Sequence, residues 1–404
     1  MNFLAIISSR PLSGLLCLIF SIASFIWLKL DATNIYELNP IIVLTIATVG
    51  LLFFIIHQQG LLLLAICFIA LFSGAWSVLN LIHSFDKGVV MGLDAWFLVS
   101  ALWFLTWNNL VQLSALKTKN KLIELSLNIV IPVLFGVWIF FLWEVITIGM
   151  SVPQVLLPAP SLIWQVFDGF GATLFADFYQ TFVRSAIPGF IMGSGTGFLV
   201  AIAADKIPFL RRGLIPIGNF FSAIPIIGMA PIMVMWFGFD WQSKAAVVAI
   251  MTFFPMMVNT LGGLNETDRI DRDLLHTYAT SYWRELFSLR LPNAMPFILN
   301  ALKINSTFAM IGAIVAEFFG TPIVGMGFRI SAEVGRMNID IVWATIAVAA
   351  VTGSMFYGVF ALLATLVVES PSLDLFIALG MYSVTLIIGL ILMIVVYNII
   401  VKLI

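Results

Sequence analysis

Apolar residues run in long stretches along this chain, interrupted at intervals by short polar segments. A bilayer-spanning helix needs about 20 consecutive apolar residues. That criterion predicts spans near 11–30, 40–57, 60–82 and 89–112, then near 125–149, 179–204, 213–238, 243–263, 296–319 and 340–367. A further apolar run at 374–401 is an eleventh. The Lys-Thr-Lys-Asn-Lys run within 116–122 is the sharpest polar break, a linker between an N-terminal module of about four spans, 1–115, and a six-span core, 123–368. Residues 369–404 form an extra hydrophobic segment. The longest polar-rich intervals, 150–178, 264–292 and 321–339, are too short for a soluble domain. The expected fold class is all-α, a polytopic transmembrane helical bundle, so any chemistry must sit in loops or within the bilayer.

Composition agrees: 62% of the 404 residues are hydrophobic and 10% charged, against about 25% charged in soluble domains. A net charge of -1 supplies no basic footprint for a phosphate backbone, so nucleic acid is not an expected partner. Cys17 and Cys67 lie in separate apolar runs and form no CxxC pair, which indicates neither a disulfide framework nor a thiolate metal site. Arg10 precedes an apolar stretch without a small-residue cleavage site, which reads as a retained span rather than a signal peptide. Lys and Arg concentrate in cytoplasmic loops of membrane proteins. With the N-terminus in the cytoplasm, Arg10, Lys117, Lys119, Lys121, Lys206, Arg211, Arg212, Arg269, Arg272, Arg284 and Arg290 fall inside, and only Lys87, Lys244, Arg329 and Arg336 outside. That imbalance sets the orientation.

The interval 264–292 is a long charged loop in a chain with few charges. Ile270, Leu274 and Tyr278 recur at i, i+4 and i+8 with Leu275 beside them, while Asp268, Arg269, Asp271, Arg272 and Asp273 occupy the other surface. This is the pattern of an amphipathic helix. Thr280 or Ser281 is placed to cap a second short helix carrying Trp283, Leu286 and Phe287, which is expected to end at Leu291-Pro292. Such a helix pair suits insertion into a partner's groove; a helix that only shields the bundle is the alternative.

The run from Asp273 to Pro292 resembles the coupling motif of binding-protein-dependent ABC permeases, which reads Glu-Ala-Ala, three residues, Gly, and a closing Leu-Pro. Asp273, Leu274 and Leu275 fall at Glu-Ala-Ala, Ala279 at the Gly and Leu291-Pro292 at the closing pair. The resemblance covers about 125–368. Val152 to Ser161, Ala223 to Pro231, Trp236 to Phe239 with Ser243-Lys244, Phe253 to Pro255 with Asn259-Thr260, and Ile311 to Phe318 are similar, in order, to the nitrate, sulfonate and taurine branch. It implies the permease subunit of a type I ABC importer in a bacterial inner membrane. The implied partners are cytoplasmic ATPase subunits, a periplasmic or lipid-anchored solute-binding protein, a second permease copy in a homodimer, and membrane lipid. It also implies ATPase docking through Asp273, Leu274, Leu275, His276, Tyr278, Ala279, Ser281, Trp283, Arg284, Leu291 and Pro292. No Walker Gly-Lys pair occurs, so the chain is expected to be non-catalytic and to carry no cofactor, with ATP and magnesium on the partner ATPase. For the substrate, Asn300 to Asn338 resembles importers of pyrimidine-type vitamin precursors; a sulfonate, taurine or nitrate anion is the alternative.

Intramembrane polar groups are candidates for a pathway, and Glu317, Asn305, Ser306, Ser222 and Asn259 are named for that role, with interhelical hydrogen bonding as the alternative. Glu144 and Arg184 are expected to snorkel to the interface. Arg329, Glu333 and Arg336 fall at i, i+4 and i+7 of a short helix that either meets the binding protein or is a solvated salt-bridged face. His57, His83 and His276 have no ligand-spaced neighbours, so no metal site is expected. Gly193-Ser-Gly-Thr-Gly197 reads as close helix packing rather than a dinucleotide loop. Rival classes are an ion-coupled secondary transporter, which needs inverted repeats and broken helices, and a membrane-embedded enzyme, whose HExxH or GxSxG is missing from the sequence.

Overall fold

A computed structural model describes residues 10–30, 43–49, 61–84, 89–115, 121–222, 225–320 and 323–368. His57, Lys87, Lys117, Lys119, most of 40–57 and the run 374–401 lie outside them. The described residues are helical, with no strand among them, which makes the protein the all-α bundle expected. Six stretches among them are long and apolar enough to cross a membrane: Ile66–His83, Val130–Gly149, Pro160–Lys206, Trp241–Asn265, Tyr282–Glu317 and Ile339–Leu366.

The chain divides into two compact units, Met1–Leu162 and Ile163–Ile404. In the first, α1 (Arg10–Leu30), α2 (Leu61–His83) and α4 (Lys121–Gly149) all pack against α3 (Leu93–Ala115). Cys17, Ile46, Cys67, Leu98, Leu102 and Val145 form its core, and both cysteines are free thiols. Glu144 does not snorkel. It is buried, accepts a hydrogen bond from Ser161 N at 3.0 Å and lies 3.1 Å from His83 Nε2. Ser161 belongs to the first turn of α5 (Pro160–Phe178), where backbone N–H groups have no intrahelical acceptor and attract a carboxylate.

In the second unit α9 (Trp241–Asn265) is the central helix, flanked by α6 (Ile187–Lys206) and α12 (Leu291–Glu317), with α14 (Ile339–Val368) on α12. Gly189, Gly193 and Gly197 are spaced along one face of α6, and a methyl group added at each would collide with backbone carbonyls of α9, those of Ala245, Ala249 and Phe253. The glycine run is therefore a close helix crossing, as small residues in membrane helices allow.

Two further sequence expectations change. Residues 160–178 are not a polar interval: α5 buries Ile163, Phe167 and Leu174 and runs through a π-helical stretch, Tyr179–Ala186, straight into α6. The predicted span 213–238 is instead two helices, α7 (Pro208–Ser222) and α8 (Ile226–Phe237). Pro225, the residue before α8, has extended backbone, φ -66° and ψ 123°. Lys244, counted among the outer charges, is buried, and its Nζ donates to the Phe239 and Asp240 carbonyls that precede its own helix.

Candidate functional site

The charged loop folds as its pattern requires. Helix α10 (Arg269–Thr277) starts at Asp268, whose side chain accepts from Ile270 N at 3.1 Å, satisfying one of the free N–H groups of the first turn. No residue of α10 is buried. Ile270, Leu274 and Tyr278 stand 75%, 55% and 75% exposed along one stripe. The chain then turns at Ala279 with φ 50°, a left-handed conformation that glycine adopts freely and other residues at a cost of about 1–2 kcal/mol. Ala279 N bonds to His276 O at 3.0 Å, and Thr280 Oγ1 donates to Leu275 O at 2.8 Å, closing the turn. The position matched to the motif's glycine is thus the one where the backbone needs a glycine-like conformation.

Beyond the turn, α11 (Tyr282–Glu285) does not stop at Leu291-Pro292. A π-helical stretch, Leu286–Arg290, carries it into α12. Proline lacks an N–H and crowds the carbonyl four residues back; at Pro292 the wider π turn accommodates it, with Leu291 N bonded to Leu286 O. Arg272 Nε reaches back from α10 to Glu285 Oε1 at 3.1 Å, and His276 Nε2 lies 3.9 Å from Oε2, which holds the two short helices together. Trp283 and Phe287 remain exposed with stacked rings.

The base of this hairpin is fixed by a buried ion pair. Arg290 donates through both terminal nitrogens to Asp205, at 2.8 and 2.6 Å, and bonds Leu264 O at 3.1 and 3.0 Å. Leu264 O is one of the carbonyls that the end of α9 leaves unpaired. Tyr282 Oη donates to Asp205 at 2.8 Å, Lys206 Nζ sits 4.8 Å from the Trp283 ring, and Leu286 is fully buried among Met256, Ala294 and Ile298. Arg290 thus ties the ends of α6, α9 and α12 to the hairpin.

At the other end of α12 lies a second polar cluster. Glu317 accepts from Thr181 Oγ1 at 2.8 Å and Gly327 N at 2.8 Å, Thr181 Oγ1 accepts from Met326 N at 2.8 Å, and Asp177 accepts from Gly325 N at 2.8 Å and Arg329 Nε at 2.7 Å. Three successive backbone N–H groups thereby seat helix α13 (Met326–Gly335). A Cβ at Gly325, where φ is 141°, would fall 2.7 Å from the Glu317 carboxyl carbon. Glu333 is buried and bonds Arg329, Arg336 and Asn338. Burial alone would lower the Arg329 pKa, but its bonds to Asp177 and Glu333 outweigh that and raise it. Arg329 and Glu333 are therefore packed inside, and only Arg336 faces outward.

Of the residues named for docking, Asp273, Leu274, His276, Tyr278, Ala279, Ser281, Trp283, Arg284 and Pro292 are exposed, while Leu275 and Leu291 are half-buried. Of those named for a pathway, Glu317, Asn305 and Ser306 are buried. Asn305 Nδ2 donates to Ser194 Oγ at 2.9 Å and Thr252 O at 2.7 Å, and Ser306 to Lys303 O at 2.7 Å. Asn259 is half-buried and bonds Pro255 O; Ser222 closes α7. Arg184 is exposed, over the Tyr179 ring. Sequence reading missed Asp205 and Asp177. Asp205 is the only acid between Asp177 and Asp240, which is the one signal along the chain that could have marked it.

An exposed amphipathic hairpin rooted in a bundle of apolar helices is the arrangement of a membrane protein. The family of binding-protein-dependent transport system inner membrane components matches residues 193–404, more than half of the chain, and this protein belongs to it. It is similar to the formylaminopyrimidine transport permease protein ThiX of Halalkalibacterium halodurans, at 31% identity over 49% of this chain and 78% of that one. The taurine transport system permease protein TauC of Escherichia coli is 26% identical over 57% of this chain and 84% of its own. The riboflavin transport system permease protein RibX of Chloroflexus aurantiacus is 25% identical over 56% and 85%. The chain is accordingly a multi-pass membrane protein of the ABC permease family, as the likeness at 273–292 anticipated.

Proposed function

We propose that the chain is the non-catalytic permease subunit of an ABC importer. A solute-binding protein delivers a small solute, two copies of the chain form the path, and ATP hydrolysis with magnesium on separate cytoplasmic ATPase subunits drives transport. The N-terminus lies in the cytoplasm of an inner-membrane protein. The observation that carries this reading is the exposed stripe Ile270, Leu274 and Tyr278 on a hairpin whose base is held by Arg290 and Asp205. A partner groove covers such a stripe, and the rigid base passes the partner's motion to α6, α9 and α12. The likeness to the formylaminopyrimidine permease favours a pyrimidine-type precursor over a sulfonate-type anion. Among the pathway candidates, Asn259 is half-buried and bonds Pro255 O within its own helix.

The test is co-purification from native membranes of the wild type and of a double variant, Leu274→Asp with Tyr278→Asp. Retention of an ATPase by the wild type and its loss from a folded variant support the reading. Transport that follows an ion gradient, with no ATPase accompanying the wild type, would instead establish a secondary transporter.

A further inference from the structure

Helix α12 carries a polar face through the middle of its span. Asn293, Asn300 and Thr307 recur every seven residues and are all exposed, so they share one side of the helix. Lys303 comes three residues after Asn300 and four before Thr307, beside both on the helix surface. It is half-buried, about 18 Å from the Leu291 end of α12 and about 21 Å from the Glu317 end at 1.5 Å per residue. The other side of α12 is packed. Ala294, Ile298 and Ala301 share a core with Met256 and Leu264 of α9, and Gly312 lies against Met251 and Val248.

Polar groups nearby have partners. Asn305 bonds Ser194 and Thr252 O, and Thr252, Thr345 and Thr352 on adjoining helices each donate to the carbonyl four residues back. Among the described residues, the side chains of Asn300, Lys303 and Thr307 make no hydrogen bond or ion pair, and the Lys303 Nζ is not an enclosed atom. Glu317, the acid on the same helix, is too far away to pair with it. A charge at the centre of a span is costly against lipid and belongs where it meets a cavity or an opposite charge. Snorkelling relieves lysines near helix ends, which Lys303 is not. With no carboxylate paired to it within the described chain, the group that suits this ammonium is an anion that comes to it. Asn300 and Thr307 add an amide and a hydroxyl donor on either side.

We propose that Lys303, flanked by Asn300 and Thr307, binds a solute bearing one oxyanion group, such as a carboxylate, in transit across the membrane. This rests on the importer reading and narrows it: a pyrimidine-type solute fits here with an ionised substituent. The test uses the full chain in zwitterionic lipid nanodiscs at neutral pH, fluorine NMR, and two probes of one shape, 4-fluorobenzoate and the uncharged 4-fluorobenzamide. Empty nanodiscs measure simple partitioning. The wild type is expected to bind the benzoate saturably and about tenfold more tightly than the amide, a ratio that one hydrogen bond to a charged group supplies. Lys303→Arg should keep that preference and Lys303→Met should bring it close to one, with no fall in melting temperature because no partner is lost. No preference in the wild type, or an undiminished one in Lys303→Met, would overturn the proposal. So would a wild type that is dimeric by native mass spectrometry beside a monomeric Lys303→Met, which would make Lys303 a contact between copies. Co-purification judges the importer reading separately: an ATPase retained without a preference for benzoate removes this site alone, whereas a preference for benzoate with no ATPase leaves the site and removes that reading.

Discussion

Replacing Arg290 with Met tests the base of the exposed hairpin. Both side chains of the Arg290–Asp205 pair are only 4% exposed, so solvent screening does little to weaken it. Removing one partner of a buried pair typically costs about 3–5 kcal/mol, because the other charge stays behind uncompensated. After Arg290→Met, Asp205 keeps its bond from Tyr282, which places the expected loss near the lower figure, about 3 kcal/mol. Asp205→Leu leaves Arg290 only Leu264 O and should cost nearer about 5 kcal/mol. The double variant removes both charges and should cost less than either single change, since an apolar replacement of a buried pair is often neutral. Arg290→Lys cannot engage both carboxylate oxygens and the Leu264 carbonyl together, and should fall between wild type and Met. Reversible unfolding in mixed micelles, followed by tryptophan fluorescence, gives all four free energies. Single losses below about 1 kcal/mol, the range of exposed pairs, or a double loss equal to the sum of the singles, would refute the reasoning.

Three further outcomes follow from the geometry. Ala279→Gly relieves the left-handed turn and should stabilise the hairpin by up to about 1 kcal/mol, seen as slower amide exchange at 278–281; faster exchange would contradict it. Gly193→Val drives a side chain into Thr252 and the Ala249 carbonyl and should cost about 3 kcal/mol or more, whereas Gly195→Ala meets nothing within 4 Å and should be neutral or slightly stabilising in the same unfolding assay. Arg329→Met removes the bonds to Asp177 and Glu333 and should raise amide exchange across 325–335 while leaving 269–277 unchanged; a uniform rise across both segments would show that the cluster does not act locally.

The fold of the exposed hairpin was legible because two independent patterns coincide there. Ile270, Leu274 and Tyr278 carry a helical period, and the motif spacing puts Ala279 at the turn. What anchors the hairpin was not legible, because the pairing of Arg290 with Asp205 joins residues 85 positions apart and no local period records it. Helix α5 was missed for another reason: Asp168, Asp177 and two glycines lower its apolar average, although Ile163, Phe167 and Leu174 keep helical spacing. The broken pair α7 and α8 reads as one span when apolar length is counted without the weight due to Pro225. Both π-helical stretches directly precede an Xaa-Pro pair, Ile187-Pro188 and Leu291-Pro292. Proline in an apolar run marked the right places but not whether the helix would end or widen. Glu317 drew notice as an intramembrane charge, and its bonds to Thr181 and Gly327 could only come from the folded chain.

Helix α12 begins beside Arg290 and finishes at Glu317, a rod of 27 residues, about 40 Å at 1.5 Å per residue. Its two tips are each clamped by buried charge, so it behaves as a connecting rod with a crank pin at either end. A tilt of a few degrees imposed at the hairpin sweeps the far tip through an arc that lengthens in proportion to the rod, and α13 rides on that tip. Two spin labels placed at the ends of α12 should therefore keep a fixed separation through the working cycle, even while each moves against the rest of the bundle.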